Sequence, residues 1–270
     1  MTCTFQWLGV AGLAFFDEGS ALLVDPFFTR PPRGDLVWMR RVVPNAALAE
    51  QYAPRADFIL VTHPHYDHLM DVPNVMRFTG ASAYGTPNTA QLLQLHNLPP
   101  ERIHTVAPGD RLELGPFGVD VLTGTHMRTP VDRWINGPLP RGLRVPLRLI
   151  DYVMDASYAY RIEMNGTVAL IGNHPIPADV WFVAPYQSRD TFADMLRAIN
   201  PRRVVLIHWD DFTRPLSSPL RPMIVTIAQG QSPRFPPVRR IDLEGIARFA
   251  KIILPEVTVT VPEILEPDAL

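Results

Sequence analysis

Cysteine is almost missing from this sequence. Cys3 is the only one in 270 residues, so no disulfide can form within the chain. Lysine is equally scarce: Lys251 stands alone and arginine takes its place elsewhere. No apolar stretch reaches the roughly 18 residues needed to span a membrane. The N-terminus lacks a basic region, a long apolar core and a small-residue cleavage site, so no signal peptide is expected. There is little net charge: −2 argues against a general nucleic-acid binder. These absences suit a reducing cytoplasm, with neither nucleic acid nor membrane as partner. They carry no information on oligomeric state. An apolar fraction of 47% and a charged fraction of 19% describe a globule with a sizeable core. No linker composition divides the chain, so residues 1–270 are expected to form a single domain.

What the chain does have is histidine in one place. Thr62-His63-Pro64-His65-Tyr66-Asp67-His68 follows the apolar run Phe58-Ile59-Leu60-Val61. Side chains alternate faces along an extended chain, so His63, His65 and Asp67 can point one way, with His68 following as the backbone turns. Imidazole and carboxylate are good ligands for zinc, iron or manganese. Packing alone gives no reason for three histidines at this spacing. Three later apolar runs each end in a further candidate: His126 after Val119–Thr125, Asn173-His174 after Val168–Gly172, and His208 after Val204–Ile207. Each alone is an ordinary loop histidine. Four strand ends delivering donors in one chain point to convergence.

The series His63-x-His65-x-Asp67-His68, Gly124-Thr125-His126, Gly172-Asn173 and His208 resembles the metallo-β-lactamase superfamily. The opening from Trp7-Leu8-Gly9 to Leu23-Val24-Asp25-Pro26 is similar to its lactonase-like and metal-dependent hydrolase branches. The resemblance implies an α/β fold: a four-layer αββα sandwich of two mixed β-sheets with helices on the outer faces. It implies that His63, His65 and His126 hold one metal, and that Asp67, His68 and His208 hold a second. Asp25 is implied to orient a ligand histidine by hydrogen bonding, although an aspartate there also suits a turn cap. The chain departs from the family twice. Val10 stands where a histidine is frequent, and Asn173 stands where an aspartate usually bridges both metals. One or two zinc ions are expected, with manganese or iron as alternatives. His174, Asp210 or Asp211 are candidates to compensate for Asn173.

Around these motifs the pattern predicts strands at 4–8, 21–24, 56–61, 81–84, 102–106, 117–123, 180–183, 203–207 and 257–261. A hairpin is expected over 158–171 through the turn Asn165-Gly166. Helices are expected over 46–52, from a cap at Asp71, from Thr86-Pro87, from a cap at Asp190, and over 243–253. Residues 127–157 are proline-rich with weak periodicity and hold Arg128, Arg133, Arg141, Arg144 and Arg148 against Asp132 and Asp151. A long segment of this kind is expected to be an active-site flap. Arg128 and Arg144 are candidates to hold an anionic group of a substrate, since arginine forks match carboxylate and phosphate.

The expected activity is a metal-dependent hydrolase. A metal-bound hydroxide would attack a small or medium, anionic ester, lactone or phosphodiester, and Asp67 would be the catalytic carboxylate. Two alternatives stand beside it: a metal-binding protein with weak or no hydrolysis because of Asn173, and an iron-dependent redox enzyme.

Overall fold

The computed structural model describes residues 3–38, 40–127, 132–226 and 238–270. Arg128 lies outside them. The chain lays down β1 (Thr4–Gly9), β2 (Gly12–Asp17), β3 (Ser20–Val24), β4 (Phe58–Leu60), β5 (Ser82–Gly85) and β6 (Ile103–Thr105) side by side as one sheet. It then builds a second from β7 (Arg111–Leu114), β8 (Phe117–Thr123), β9 (Tyr158–Met164), β10 (Thr167–Ile171), β11 (Val180–Val183) and β12 (Arg203–Leu206). A short ribbon pairs β13 (Ile224–Thr226) with β14 (Val238–Arg240). Finally β15 (Thr258–Thr260) extends the second sheet beside β12, and β16 (Pro267–Ala269) returns to the first beside β1. Both seven-stranded sheets mix parallel and antiparallel pairs.

Period-two alternation explains the layers. In β1 to β3, Phe5, Trp7, Leu13, Phe15, Leu22 and Val24 join the core between the sheets. Their neighbours Leu8, Ala14 and Leu23 face the other way, into a second core. That second core is closed by Leu92 and Leu93 of the helix Pro87–Gln94 and by Val75 and Met76 of the helix Val72–Thr79. β11 is buried on both faces, as a parallel strand is. Phe182 meets Phe5 and Phe15 edge-on at 5.0 and 5.5 Å, while Trp181 stacks on Phe192 of the outer helix Arg189–Ile199 at 5.3 Å. The result is the helix–sheet–sheet–helix sandwich. Among the described residues no helix is long and apolar enough to cross a membrane.

Two expected caps are corrected. Asp71 stands at the N-cap position of the helix Val72–Thr79, but its side chain does not cap it; its carboxylate accepts from the Phe28 and Thr29 amides and the Thr29 hydroxyl, tying the 27–30 loop down. The helix Arg189–Ile199 is capped by Ser188, whose hydroxyl accepts from Thr191 N, and not by Asp190. Between β3 and the helix Ala46–Tyr52, Arg33–Val37 forms one further short helix.

Candidate metal centre

The candidate ligands all follow C-terminal strand ends. β4 runs into His63 and His65, and the short helix Tyr66–Leu69 turns Asp67 and His68 inward; all four are buried. β8 ends three residues before His126, β10 two before Asn173, and β12 two before His208. The second sheet clamps the first motif directly: Tyr158 N donates to Thr62 O at 2.8 Å, and the Tyr160 hydroxyl to Val61 O at 2.8 Å. Gly124 has a steric reason to be glycine. A Cβ there would sit 2.7 Å from the Tyr158 carbonyl carbon, so the strand end that carries His126 can approach β9 only without a side chain.

Two groups of donor atoms result. His63, His65 and His126 form one, and Asp67, His68 and His208 the other; within each, the donor atoms lie within 4.8 Å of one another. The groups adjoin, with the His63 and His68 rings 3.9 Å apart.

The hydrogen bonds around these rings decide which nitrogen is left bare. Asp25 is the hub. Its Oδ1 accepts from Thr62 N at 2.8 Å, and its Oδ2 accepts from the Thr62 hydroxyl at 2.5 Å and from His68 Nδ1 at 2.7 Å. With its proton given to Asp25, the Thr62 oxygen is left to accept from His63 Nδ1 at 3.0 Å. One carboxylate thus orients a histidine of each group. His65 donates Nε2–H to the Ile135 carbonyl at 3.3 Å. The Tyr186 hydroxyl donates to the His208 carbonyl, so its oxygen accepts from His208 Nδ1 at 2.9 Å. His63 Nε2 is buried with no hydrogen-bond partner. Four imidazoles therefore have one ring nitrogen tied down from outside, as metal-binding histidines are held, and the second left for the cage, where that of His208 meets Asp67 at 3.2 Å. A divalent cation fits this donor set and supplies the partner that His63 Nε2 lacks.

The backbone behind His208 is strained. Val10, Asp25 and His208 all have φ between 45 and 56°, sparsely populated for residues other than glycine. A buried strut holds them: His208 N donates to Val10 O at 2.7 Å, Val10 N donates to Asp210 Oδ1 at 2.9 Å, and Asp210 Oδ2 lies 2.7 Å from Arg30 Nη2. That last contact is close but poorly aligned as a hydrogen bond, so its attraction is mainly that of opposite charges.

Electrostatically the two groups differ. Burial, then the neighbouring imidazoles, holds His63 well below the usual histidine value. His126 is pushed down to about 4, by burial first and then by His65 and His68. His65 is lowered too, burial outweighing the pull of Asp67. His68 moves up: burial opposes its protonation, but Asp25 and Asp67 together prevail. Burial works to raise Asp67, yet His68 and His208 carry it well below the usual carboxylate range. Asp67 Oδ2 lies 3.2 Å from His208 Nε2 and 3.6 Å from His68 Nε2.

Asn173 lines the cavity beside the cage, and its Oδ1 accepts from Gln187 Nε2 at 2.8 Å. Its suggested substitutes stand in neither donor group. His174 Nδ1 pairs with Thr123 O, Asp210 is spent on Val10 and Arg30, and Asp211 on Arg33, Arg221 and Thr213. Arg144 is exposed and does not line the cavity beside the cage. Thr62, Tyr186 and the Ile135 carbonyl were not singled out as ligand-orienting groups by sequence. Adjacency to His63 is the one signal for Thr62; a backbone carbonyl leaves none.

Beside the cage lies a cavity of about 760 Å³. Part of the 127–157 segment forms one wall through Met127, Ile135, Leu149 and Tyr152. That segment is pinned by strand-like bridges between Arg41 and Arg148 and between Asn136 and Met154.

Comparison with known proteins agrees with this geometry. Residues 21–209 match the model of the beta-lactamase superfamily domain. A UPF0173 metal-dependent hydrolase of Pyrobaculum arsenaticum is 25% identical over 210 residues, 77% of this chain and 84% of that protein. The protein of the same name from Pyrobaculum calidifontis is 24% identical over the same shares. Among solved structures, Igni18, a metallo hydrolase of Ignicoccus hospitalis, superposes with a TM-score of 0.64 at 15% identity, covering 100% of this chain and 99% of that one. The metallo-β-lactamase fold protein YhfI of Bacillus subtilis gives 0.58 at 13% identity, covering 99% and 100%. At such identities the likeness speaks for the fold. With the family model spanning most of its length, this chain belongs to the beta-lactamase superfamily.

Proposed function

We propose that this metal-dependent hydrolase of the metallo-β-lactamase fold cleaves a small or medium ester or lactone beside the six-donor cage. One observation carries the reading: imidazoles from distant strand ends converge, four of the five fixed by an outer hydrogen bond, next to a ligand-sized cavity. His63, His65 and His126 would hold one ion; Asp67, His68 and His208 would hold another. Zinc suits imidazole and carboxylate donors best, and manganese or iron is compatible. A metal bound there lowers the pKa of a water from ~15.7 toward roughly 7 and polarises the substrate carbonyl.

The chain's own groups do the rest. Asp25 and Thr62 keep His63 and His68 in the required tautomers. Tyr186 does the same for His208. Asp67 lies between the two groups and is ionised, so with only the three-histidine group filled it is placed to accept a proton from water. With both filled it is a ligand instead. The water oxygen bonds to the acyl carbon, the bond to the leaving oxygen breaks, and the proton passes by way of Asp67 to the leaving alkoxide. The 127–157 segment acts as a flap, and its described residues Met127, Ile135, Leu149 and Tyr152 wall the cavity.

Metal quantification, followed by a panel of lactones, esters, thioesters and phosphodiesters, tests this reading. Turnover that needs metal and vanishes in a His63→Ala/His65→Ala variant is expected. Turnover that survives in that variant would contradict it. A second reading, metal binding with weak turnover, is favoured by the Asn173 amide being committed to Gln187. An Asn173→Asp variant that gains both metal and activity would support it.

A further inference from the structure

We propose, resting on the hydrolase reading above, that the cavity selects uncharged substrates with a largely apolar body and rejects those carrying an anion remote from the scissile bond. The flap contributes Met127, Ile135, Leu149 and Tyr152 to the lining, and Tyr66 and Phe212 stand among the remaining lining residues. Among the described residues that line it there is no arginine or lysine. The lining carboxylates, Asp25 and Asp67, belong to the cage and its support. Outside the cage histidines, the other polar lining side chains, such as Thr125, Ser157 and Gln187, carry no charge.

The arginines described in this part of the chain are turned to other uses. Arg148 grips Asp151 at 2.7 Å, Arg133 lies 3.9 Å over the half-exposed ring of Trp134, and Arg144 is exposed. The described part of the flap is therefore largely apolar where it faces the cavity and basic where it faces water. Cationic metal acts only on the reacting head of a substrate. Along the body, an apolar chain gains from burial, while an anion gives up its water shell with no arginine or lysine among the described lining residues to meet it. This departs from the expectation of an anion held by Arg144; Arg128 lies outside the described residues.

The test compares two esters on the metal-loaded chain: p-nitrophenyl octanoate, and the mono-p-nitrophenyl ester of octanedioic acid. They share the reacting bond and chain length and differ in a remote carboxylate. A kcat/KM at least about tenfold higher for the neutral ester is expected. Equal values, or a preference for the anionic ester, would overturn the proposal. Met127→Lys, at a partly buried lining position, should move the ratio about tenfold toward the anionic ester; an unmoved ratio would mean that the lining does not set it. If metal binds but neither ester turns over, the hydrolase reading fails separately. Calorimetry with octanamide and the half-amide of octanedioic acid then decides selectivity alone. Octanamide binding at least about tenfold tighter supports it, and equal or weaker binding overturns it.

Discussion

The two halves of the cage are built from similar side chains and stand in different electrostatic states. His63, His65 and His126 are all driven toward the neutral form, chiefly by burial, and one buried nitrogen has no partner. Asp67, His68 and His208 are already compensated: Asp25 and Asp67 favour the protonated form of His68, and the rings keep Asp67 ionised. The first half is ready for a cation as it stands. In the second, Asp25 and Asp67 raise the value of His68, and where the resemblance implies a bridging carboxylate the chain has an asparagine bonded to Gln187. From this contrast we propose unequal filling, with the three-histidine group taking metal first.

The strongest break in this comparison is His63→Ala/His65→Ala. Removing two donors from the ready half should take hydrolysis to background and remove the tighter metal, as read by metal analysis. Next comes Arg30→Leu, which strands Asp210 as a buried carboxylate without its cation. About 3–5 kcal/mol of stability should be lost in denaturant unfolding, and His208 should lose its support. Asp25→Asn touches both halves through His68 and Thr62, and should weaken metal affinity about 10–100-fold in a chelator competition. Asn173→Asp should sharpen the comparison by raising occupancy of the second group while leaving the first unchanged.

The smallest effect is on pH. The lowered values of His63, His65 and His126 mean that the unfolded chain binds more protons than the folded one between about pH 6.5 and pH 4. Their contribution to stability is present above that window and lost as pH falls through it. His68 has the opposite sign: its contribution is present below its unfolded value and fades as pH rises through the raised one. Below its unfolded value His68 adds no further pH dependence, so the Tm of metal-free protein should drop on acidification from pH 6.5 to 4. A rise would contradict the lowered values of the three-histidine group.

Where residue type alone carries the information, the sequence was legible. The hairpin β9–β10 sits where Asn165-Gly166 implies, and the helices Ala46–Tyr52 and Leu243–Ile253 have the expected bounds. The candidate ligands stand out because three histidines in six residues have no packing explanation, and they do converge in space. β2 was hidden because Ala11–Phe16 is apolar throughout and its turn rests on positive φ at Gly9 and Val10, a backbone property. β7 and β16 are short edge strands with exposed residues, where periodicity is weak. Asp71 resembles a cap by its neighbours Val72 and Pro73, yet its partners lie 42 and 43 residues away. Support from the Ile135 carbonyl or the Arg30–Asp210 strut depends on tertiary placement that no local pattern encodes.

The unequal filling of one shared cage is tested most directly by anomalous X-ray scattering from crystals grown with a limiting amount of zinc. The strongest peak should lie between His63, His65 and His126, with a weaker one or none between Asp67, His68 and His208. Equal peaks at both positions, or ordered side chains with no peak at either, would contradict it.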